Sequence, residues 1–181
     1  MSTLQPMAET LDLSVVAPAH NESENVQPLV EEVERALSGL GVSFEVVIVD
    51  DGSTDDTRER VLALVPQRSW LRCIAMDNTP PGRGNGQSAA FHAGFRAARG
   101  GLIAVLDADL QNDPGDLPML LEAMRSEGAD LVQGDRSHAR KDNLAKRYGS
   151  VVGRLFRRAI LGDAVRDTGC SLRVMRREVA L

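Results

Sequence analysis

The chain has 181 residues, 43% hydrophobic and 26% charged, a mix that suits one folded domain and excludes a disordered chain. Aromatic residues make up only 3%, so the core has to rest on Val, Leu, Ile and Ala. The net charge of -5 is unevenly spread: positions 136–181 hold 12 Lys and Arg against 4 Asp and Glu, and the rest of the chain holds 9 against 22.

Met1–Asp12 lacks the basic start and apolar stretch of a signal peptide and is expected to be a flexible tail, with 13–181 a single domain. Leu13–Ala17 (LSVVA) is a short apolar run that ends at Pro18 and suits a buried strand. A helix is expected from about Glu24 to Leu40, because Val26, Leu29, Val30, Val33, Leu37 and Leu40 recur at helical spacing, with Ser23 as its cap. Phe44–Val49 (FEVVIV) is the second strand. Asp50-Asp51-Gly52-Ser53 turns out of it, and Ser53 with Asp56 suits a capping box for a helix to about Val65.

Leu71–Met76 is a weaker third strand, and the Pro- and Gly-rich Asn78–Gly86 is a loop. The Ala-rich Gln87–Arg99 is helical, with His92 expected to pack within it. Leu102–Leu106 (LIAVL) is the fourth strand, and Asp107-Ala108-Asp109 follows it directly. A helix over Leu117–Arg125 starts at Asp116, and a fifth strand begins at Asp130–Gln133. His138 falls in a loop, Asn143–Leu161 has the pattern of a long basic amphipathic helix, and Ser171–Met175 suits a last strand. Strands alternating with helices predict an α/β fold, a mostly parallel sheet flanked by helices. Cys73 and Cys170 form neither a disulfide framework nor a zinc site. They read as small buried hydrophobes in a reducing compartment, so the expected location is cytoplasmic. No apolar run approaches the ~20 residues of a membrane span.

In open α/β sheets ligands bind beyond the carboxyl ends of the strands. The first strand is followed by His20, Asn21 and Glu22, the second by Asp50 and Asp51, and the fourth by Asp107 and Asp109. Five carboxylates converging on one edge repel one another, and a hard divalent cation with oxygen ligands, Mg2+ or Mn2+, offsets that repulsion. In extended geometry residues two apart face the same way, so Asp107 and Asp109 are expected to share a cleft, with Gln111 at the next such position. Asp50 has the alternative reading of a residue that only braces its turn.

At these residues the chain resembles family 2 inverting glycosyltransferases of the GT-A fold. It is most similar to the branch that holds dolichyl-phosphate mannosyltransferase and the bacterial undecaprenyl-phosphate sugar transferases. The matching segments are VVAPAHNESENV (15–26), VIVDDGSTDDT (47–57), GQSAAFHAGFRAARG (86–100), LDADLQNDP (106–114), QGDR (133–136) and DTGCSLRVMRR (167–177). The resemblance implies that Pro18, His20, Glu22, Val49 and Asp51 form the pocket for the base and ribose of a UDP- or GDP-sugar. His20 stands where the family often has Tyr. Asp107 and Ala108 would lie against the ribose and diphosphate, Asp107, Asp109 and Gln111 would carry the metal, and Arg136 would approach the diphosphate. Asp167 would be the general base toward a hydroxyl acceptor, or would position a lipid-phosphate acceptor that is already an anion.

A polyprenyl phosphate is the acceptor this branch implies. The family normally continues beyond the Gly-Cys-Ser-Leu-Arg region, so the acceptor- and membrane-binding part is expected to be missing. The alternative is therefore a non-catalytic nucleotide-sugar-binding subunit or a truncated remnant. The basic residues of 140–158 suit either a peripheral contact with anionic lipid or an ordinary surface helix. No nucleic-acid partner is expected, and the oligomeric state is left open. A nucleotidyltransferase would carry a Gly-rich, basic phosphate loop after the first strand, which PAHNESEN lacks, and a dinucleotide dehydrogenase would carry Gly-x-Gly-x-x-Gly there.

Overall fold

The structure is a computed structural model that describes residues 11–76, 79, 83–134 and 170–181. The strands are β1 (Leu13–Ala19), β2 (Phe44–Asp50), β3 (Leu71–Ala75), β4 (Leu102–Val105), β5 (Leu131–Gln133) and β6 (Arg173–Arg176). The helices are α1 (Val26–Leu37), α2 (Thr57–Leu64), α3 (Gln87–Ala97), α4 (Leu117–Glu127) and the short α5 (Arg177–Ala180). The strands form one six-stranded sheet in the order β3-β2-β1-β4-β6-β5. β1 to β4 are parallel, and β6 runs antiparallel to both β4 and β5. The α/β class and the mostly parallel sheet agree with the sequence pattern.

The two faces of the sheet are covered by different helices. Leu13, Val15, Ala17 and Ala19 of β1 face a core that contains Leu29 and Val33 of α1, Val61 of α2 and Leu120 and Leu121 of α4. Val16 points the other way and joins Val47, Val49, Ile103 and Ala90 of α3. A strand covered on both sides has no polar face, which is why β1 and β2 read as apolar runs rather than as alternation.

Two polar side chains, Ser14 and Glu45, are buried together at the far end of the sheet. Glu45, 2% exposed, accepts from Ser14 Oγ and Arg72 Nη1, both at 2.7 Å, and from the Arg99 backbone N–H at 2.7 Å. Burial alone pushes its carboxyl up, but these donors and the Arg72 charge outweigh burial and hold it below the usual carboxylate range.

Local details differ from the sequence reading. α1 starts at Val26, two residues after Glu24, but Ser23 does not cap it: its N–H donates to Asp55 Oδ2 at 3.2 Å. α1 ends at Leu37, and Leu40 is 41% exposed, because Gly39 and Gly41 take positive φ and break the helical stripe. The capping box at Ser53 and Asp56 is absent. Ser53 Oγ accepts from Asn21 N at 3.0 Å, and the start of α2 is held instead by Asp55 Oδ1, 3.0 Å from Thr57 N. Asp12 is part of the sheet margin rather than of a tail, exchanging hydrogen bonds with Ser43. His92 is exposed on α3 and does not pack within it. Leu11 also joins the sheet margin, its carbonyl accepting the Gly101 N–H at 2.9 Å. Residues 1–10 of the proposed tail, the basic helix Asn143–Leu161 with the 140–158 cluster, and His138 lie outside the described residues. No disulfide joins Cys73 and Cys170. Among the described residues no helix is long and apolar enough to cross a membrane.

Candidate active site

The chain leaves β1 toward β2 and β3 on one side and returns to β4 on the other, so strand order reverses between β1 and β4. Loops that leave these strands in opposite directions open a crevice at their carboxyl ends. A cleft of about 300 Å³ lies there. The end of β1 contributes Pro18 and Ala19 to its lining and the segment after it His20 and Glu22; the turn after β2 contributes Asp51; and the turn after β4 contributes Asp107, Ala108 and Asp109. Arg83, Gly86, Gln87 and Ala90 close it from the entry and first turns of α3.

Each polar group is held differently. His20 Nδ1 lies 2.8 Å from the Asp51 carbonyl oxygen, which only accepts, so Nδ1 carries the proton. That bond ties the end of β1 to the end of β2. Glu22 Oε2 accepts from Asn25 Nδ2 at 2.6 Å. Asp51 is 4% exposed, and its carboxylate accepts the Asn85 N–H at 2.8 Å and the Gly86 N–H at 2.7 Å, immediately before α3. Such unpaired amides at a helix N-terminus favour an anion. Asp107 Oδ1 accepts from Gln87 Nε2 at 2.7 Å, and its Oδ2 accepts from the Ser171 hydroxyl. Asp109 Oδ1 accepts only the Gln111 N–H, at 3.1 Å, and its second oxygen accepts no hydrogen bond among the described residues.

The Asp-Ala-Asp pair does open onto one cleft, but not through strand alternation. β4 ends at Val105, residues 108–109 form a turn, and Leu110 adopts φ 57°. That left-handed residue breaks the every-second-residue rule. Gln111 is accordingly exposed and outside the cleft lining, and it reaches Asp109 through its backbone N–H rather than standing beside it as a side-chain ligand. Val49 is likewise not at the cleft: it is fully buried on the α3 side of the sheet, against Val16 and Val47. Asp50 turns away as well, paired with Arg58 at 2.7 Å and accepting from Ser53 N at 3.0 Å, so it braces the turn. The cleft therefore gathers Glu22, Asp51, Asp107 and Asp109 but not Asp50. Arg136 and Asp167 lie outside the described residues.

Among the described residues no three His, Cys, Asp or Glu side chains form a ready-made metal cage. The fit is instead to a hard cation that takes few protein ligands and completes its shell with substrate oxygens. Asp109, with an oxygen to spare, suits that role. Arg83 and Gln87 were not singled out from sequence, because they sit around a Gly-rich turn whose path over the sheet is set by Asp51, a contact made across 34 and 35 residues of chain.

A six-stranded, mostly parallel sheet with an acidic crevice at its reversal point defines a GT-A-type α/β protein. The chain belongs to glycosyl transferase family 2, whose model matches residues 14–181. It is 38% identical over 173 residues to the dodecaprenyl-phosphate galacturonate synthase of Rhizobium johnstonii, covering 94% of this chain and 49% of that protein. It is 38% identical over 167 residues to the undecaprenyl-phosphate 4-deoxy-4-formamido-L-arabinose transferase of Pseudomonas paraeruginosa, covering 92% of this chain and 48% of that protein. The chain thus spans about half the length of the curated relatives it matches. Among solved structures it is similar to glucosyl-3-phosphoglycerate synthase from Mycobacterium tuberculosis in complex with Mn2+, UDP and phosphoglyceric acid. That likeness has a TM-score of 0.70 at 25% identity and covers 93% of this chain and 57% of that one.

Proposed function

We propose that this domain binds the sugar donor of an inverting glycosyltransferase that moves a glycosyl group from a nucleoside diphosphate, UDP or GDP, to a polyprenyl phosphate. The observation that carries the reading is the meeting of Asp51, Asp107 and Asp109, from separate sheet connections, around one cleft at the strand-order reversal. The prenyl-phosphate acceptors in the names of the relatives and the Mn2+ and UDP in the structural neighbour support it.

In this reading the base and ribose lie toward Pro18, His20, Glu22 and Asp51, and the diphosphate lies over Ala108 between Asp107 and Asp109. The His20–Asp51 bond keeps the imidazole in one tautomer and plane, so it offers a fixed face to the base. Asp51 is the gatekeeper: it already holds the loop that closes the cleft, and contact with the donor adds to that bond network or trades against it. Asp109 holds Mg2+ or Mn2+, which when bound supplies positive charge to the leaving diphosphate. Arg136 adds a planar fork for phosphate oxygens, and Asp167 positions an acceptor that needs no deprotonation. The basic composition of 140–158 suits a peripheral contact with anionic lipid at the cytoplasmic face.

The test is calorimetry with UDP and GDP, with and without Mn2+, on the unaltered protein and Asp109→Ala. Metal-dependent binding that disappears in the variant supports the reading, and equal, metal-independent affinity in both refutes it. Retained donor binding without turnover on any prenyl phosphate, in a protein extended to the length of its relatives, would favour a non-catalytic donor-binding subunit.

A further inference from the structure

Asp107 is gripped by a chain of donors that starts outside the cleft lining. The Cys170 thiol points at Asn112 Oδ1, 3.7 Å away. Asn112 is 3% exposed and donates from Nδ2 to Ser171 Oγ at 2.6 Å. A side-chain amide N–H can only donate, so Ser171 receives that bond, and its own single proton has to go elsewhere. The remaining neighbour is Asp107 Oδ2, 64 residues away in the chain, which only accepts when ionised. The opposite amide orientation would set two acceptors against each other at Ser171. Gln87 Nε2 takes the other Asp107 oxygen at 2.7 Å. Both oxygens of Asp107 are therefore committed, to α3 on one side and to the approach to β6 on the other, while Asp109 keeps an oxygen open.

We propose that Ser171 is a positioning residue for the donor site: its hydroxyl, aimed by Asn112, locks the Asp107 carboxylate against Gln87 and so separates the work of the acidic pair. Asp107 is the fixed wall of the diphosphate pocket, and Asp109 is the donor with an open oxygen. Without the hydroxyl, Asp107 keeps one restraint and is free to swing about its side-chain torsions. The cleft then loses its preset geometry and gains a second carboxylate competing for whatever cation enters. The inference rests on the proposed donor site for its consequence, but the lock itself does not depend on that reading.

Two measurements on Ser171→Ala, Ser171→Thr and Gln87→Ala test it. The first is the affinity for UDP with Mn2+ by calorimetry. Loss of a hydrogen bond to a charged group predicts weakening of about tenfold in Ser171→Ala with little change in melting temperature, and recovery in Ser171→Thr, which restores the hydroxyl. Gln87→Ala should weaken binding similarly, and the double variant should lose less than the product of the two, because both restrain one carboxylate. The second is the side-chain 13C resonance of Asp107 in ligand-free protein, which should move in Ser171→Ala and return in Ser171→Thr. Affinity within twofold of the unaltered protein, with an unmoved resonance, overturns the proposal. If the unaltered protein takes up no nucleoside diphosphate, the functional reading fails on its own, and the carboxyl resonance still decides for or against the lock.

Discussion

Asp51 Oδ2 accepts the backbone N–H of Gly86 at 2.7 Å across 35 residues of chain, so the turn after β2 and the entrance to α3 are one unit. Gly84, with φ 67°, lies against the same carboxylate: a Cβ there would come within 2.7 Å of Asp51 Oδ2. The tight approach is what lets the loop descend onto the cleft. Asp51→Asn keeps the shape but turns an amide N–H toward backbone donors and removes the charge facing the helix N-terminus. The expected cost is about 1–2 kcal/mol of stability, measured by urea unfolding, together with weaker UDP binding. An unchanged midpoint would mean the loop holds itself.

The frame of this site was legible in the sequence because it follows from burial. β1, β2 and β4 are covered on both faces, so LSVVA, FEVVIV and LIAVL stand out, and their carboxyl ends carry Glu22, Asp51, Asp107 and Asp109. What was not legible depends on contacts between distant segments. Ser23 and Ser53 look like helix caps, yet both are drawn into the junction of the first two loops, to Asp55 and Asn21. Val49 sits next to a cleft-bound turn in sequence but faces the opposite side of the sheet. Gln111 lost its expected position to one left-handed residue, Leu110. Nothing local marks Ser171 or Asn112, because their value lies in a contact between distant segments: Ser171, just before β6, meets both Asn112 and Asp107, which follow β4.

Gly94 on α3 predicts a sharp packing effect. A Cβ there would overlap the Val16 Cγ1 methyl of β1 and stand 3.1 Å from Val49 Cγ2 of β2, so the helix rides directly on the sheet. Both neighbours are β-branched and fully buried, with little room to yield. Gly94→Ala should destabilise the fold by about 1–3 kcal/mol despite the better helix propensity of Ala. Gly101→Ala, whose nearest neighbour would be 3.9 Å away, serves as the control and should stay within about 0.5 kcal/mol. Thermal unfolding of both variants reads the contrast.

Asp55 should give stability an acid limb. Burial is the largest single influence and raises its carboxyl, but hydrogen bonds from Thr57 and Ser23 together outweigh it and lower the group from an ordinary 3.8 to about 2. A carboxylate held below its unfolded value stabilises the fold above that value, and the contribution fades as protonation proceeds. The contribution is therefore complete above about pH 4 and lost as pH falls toward 2. Asp55→Asn should be less stable near neutrality by about 1 kcal/mol, as for loss of a helix-start acceptor, and should converge with the unaltered protein in acid. Parallel stability curves through that window would show that Asp55 titrates as it does in the unfolded chain.

Arg83 carries the last prediction. It lines a cleft whose other charged lining residues, Glu22, Asp51, Asp107 and Asp109, are all acidic, and it makes no hydrogen bond or ion pair with any described residue. An anionic diphosphate entering such a cleft needs positive charge, and a guanidinium with no partner among the described residues has its fork to offer. Arg83→Ala should weaken UDP binding by about five- to tenfold while leaving uridine binding unchanged, since only the phosphates are anionic. Raising ionic strength should narrow the UDP difference, because the side chain is exposed and its charge is screened. Equal loss for uridine and UDP would assign Arg83 to the shape of the loop instead, and no loss for either would remove it from the donor site.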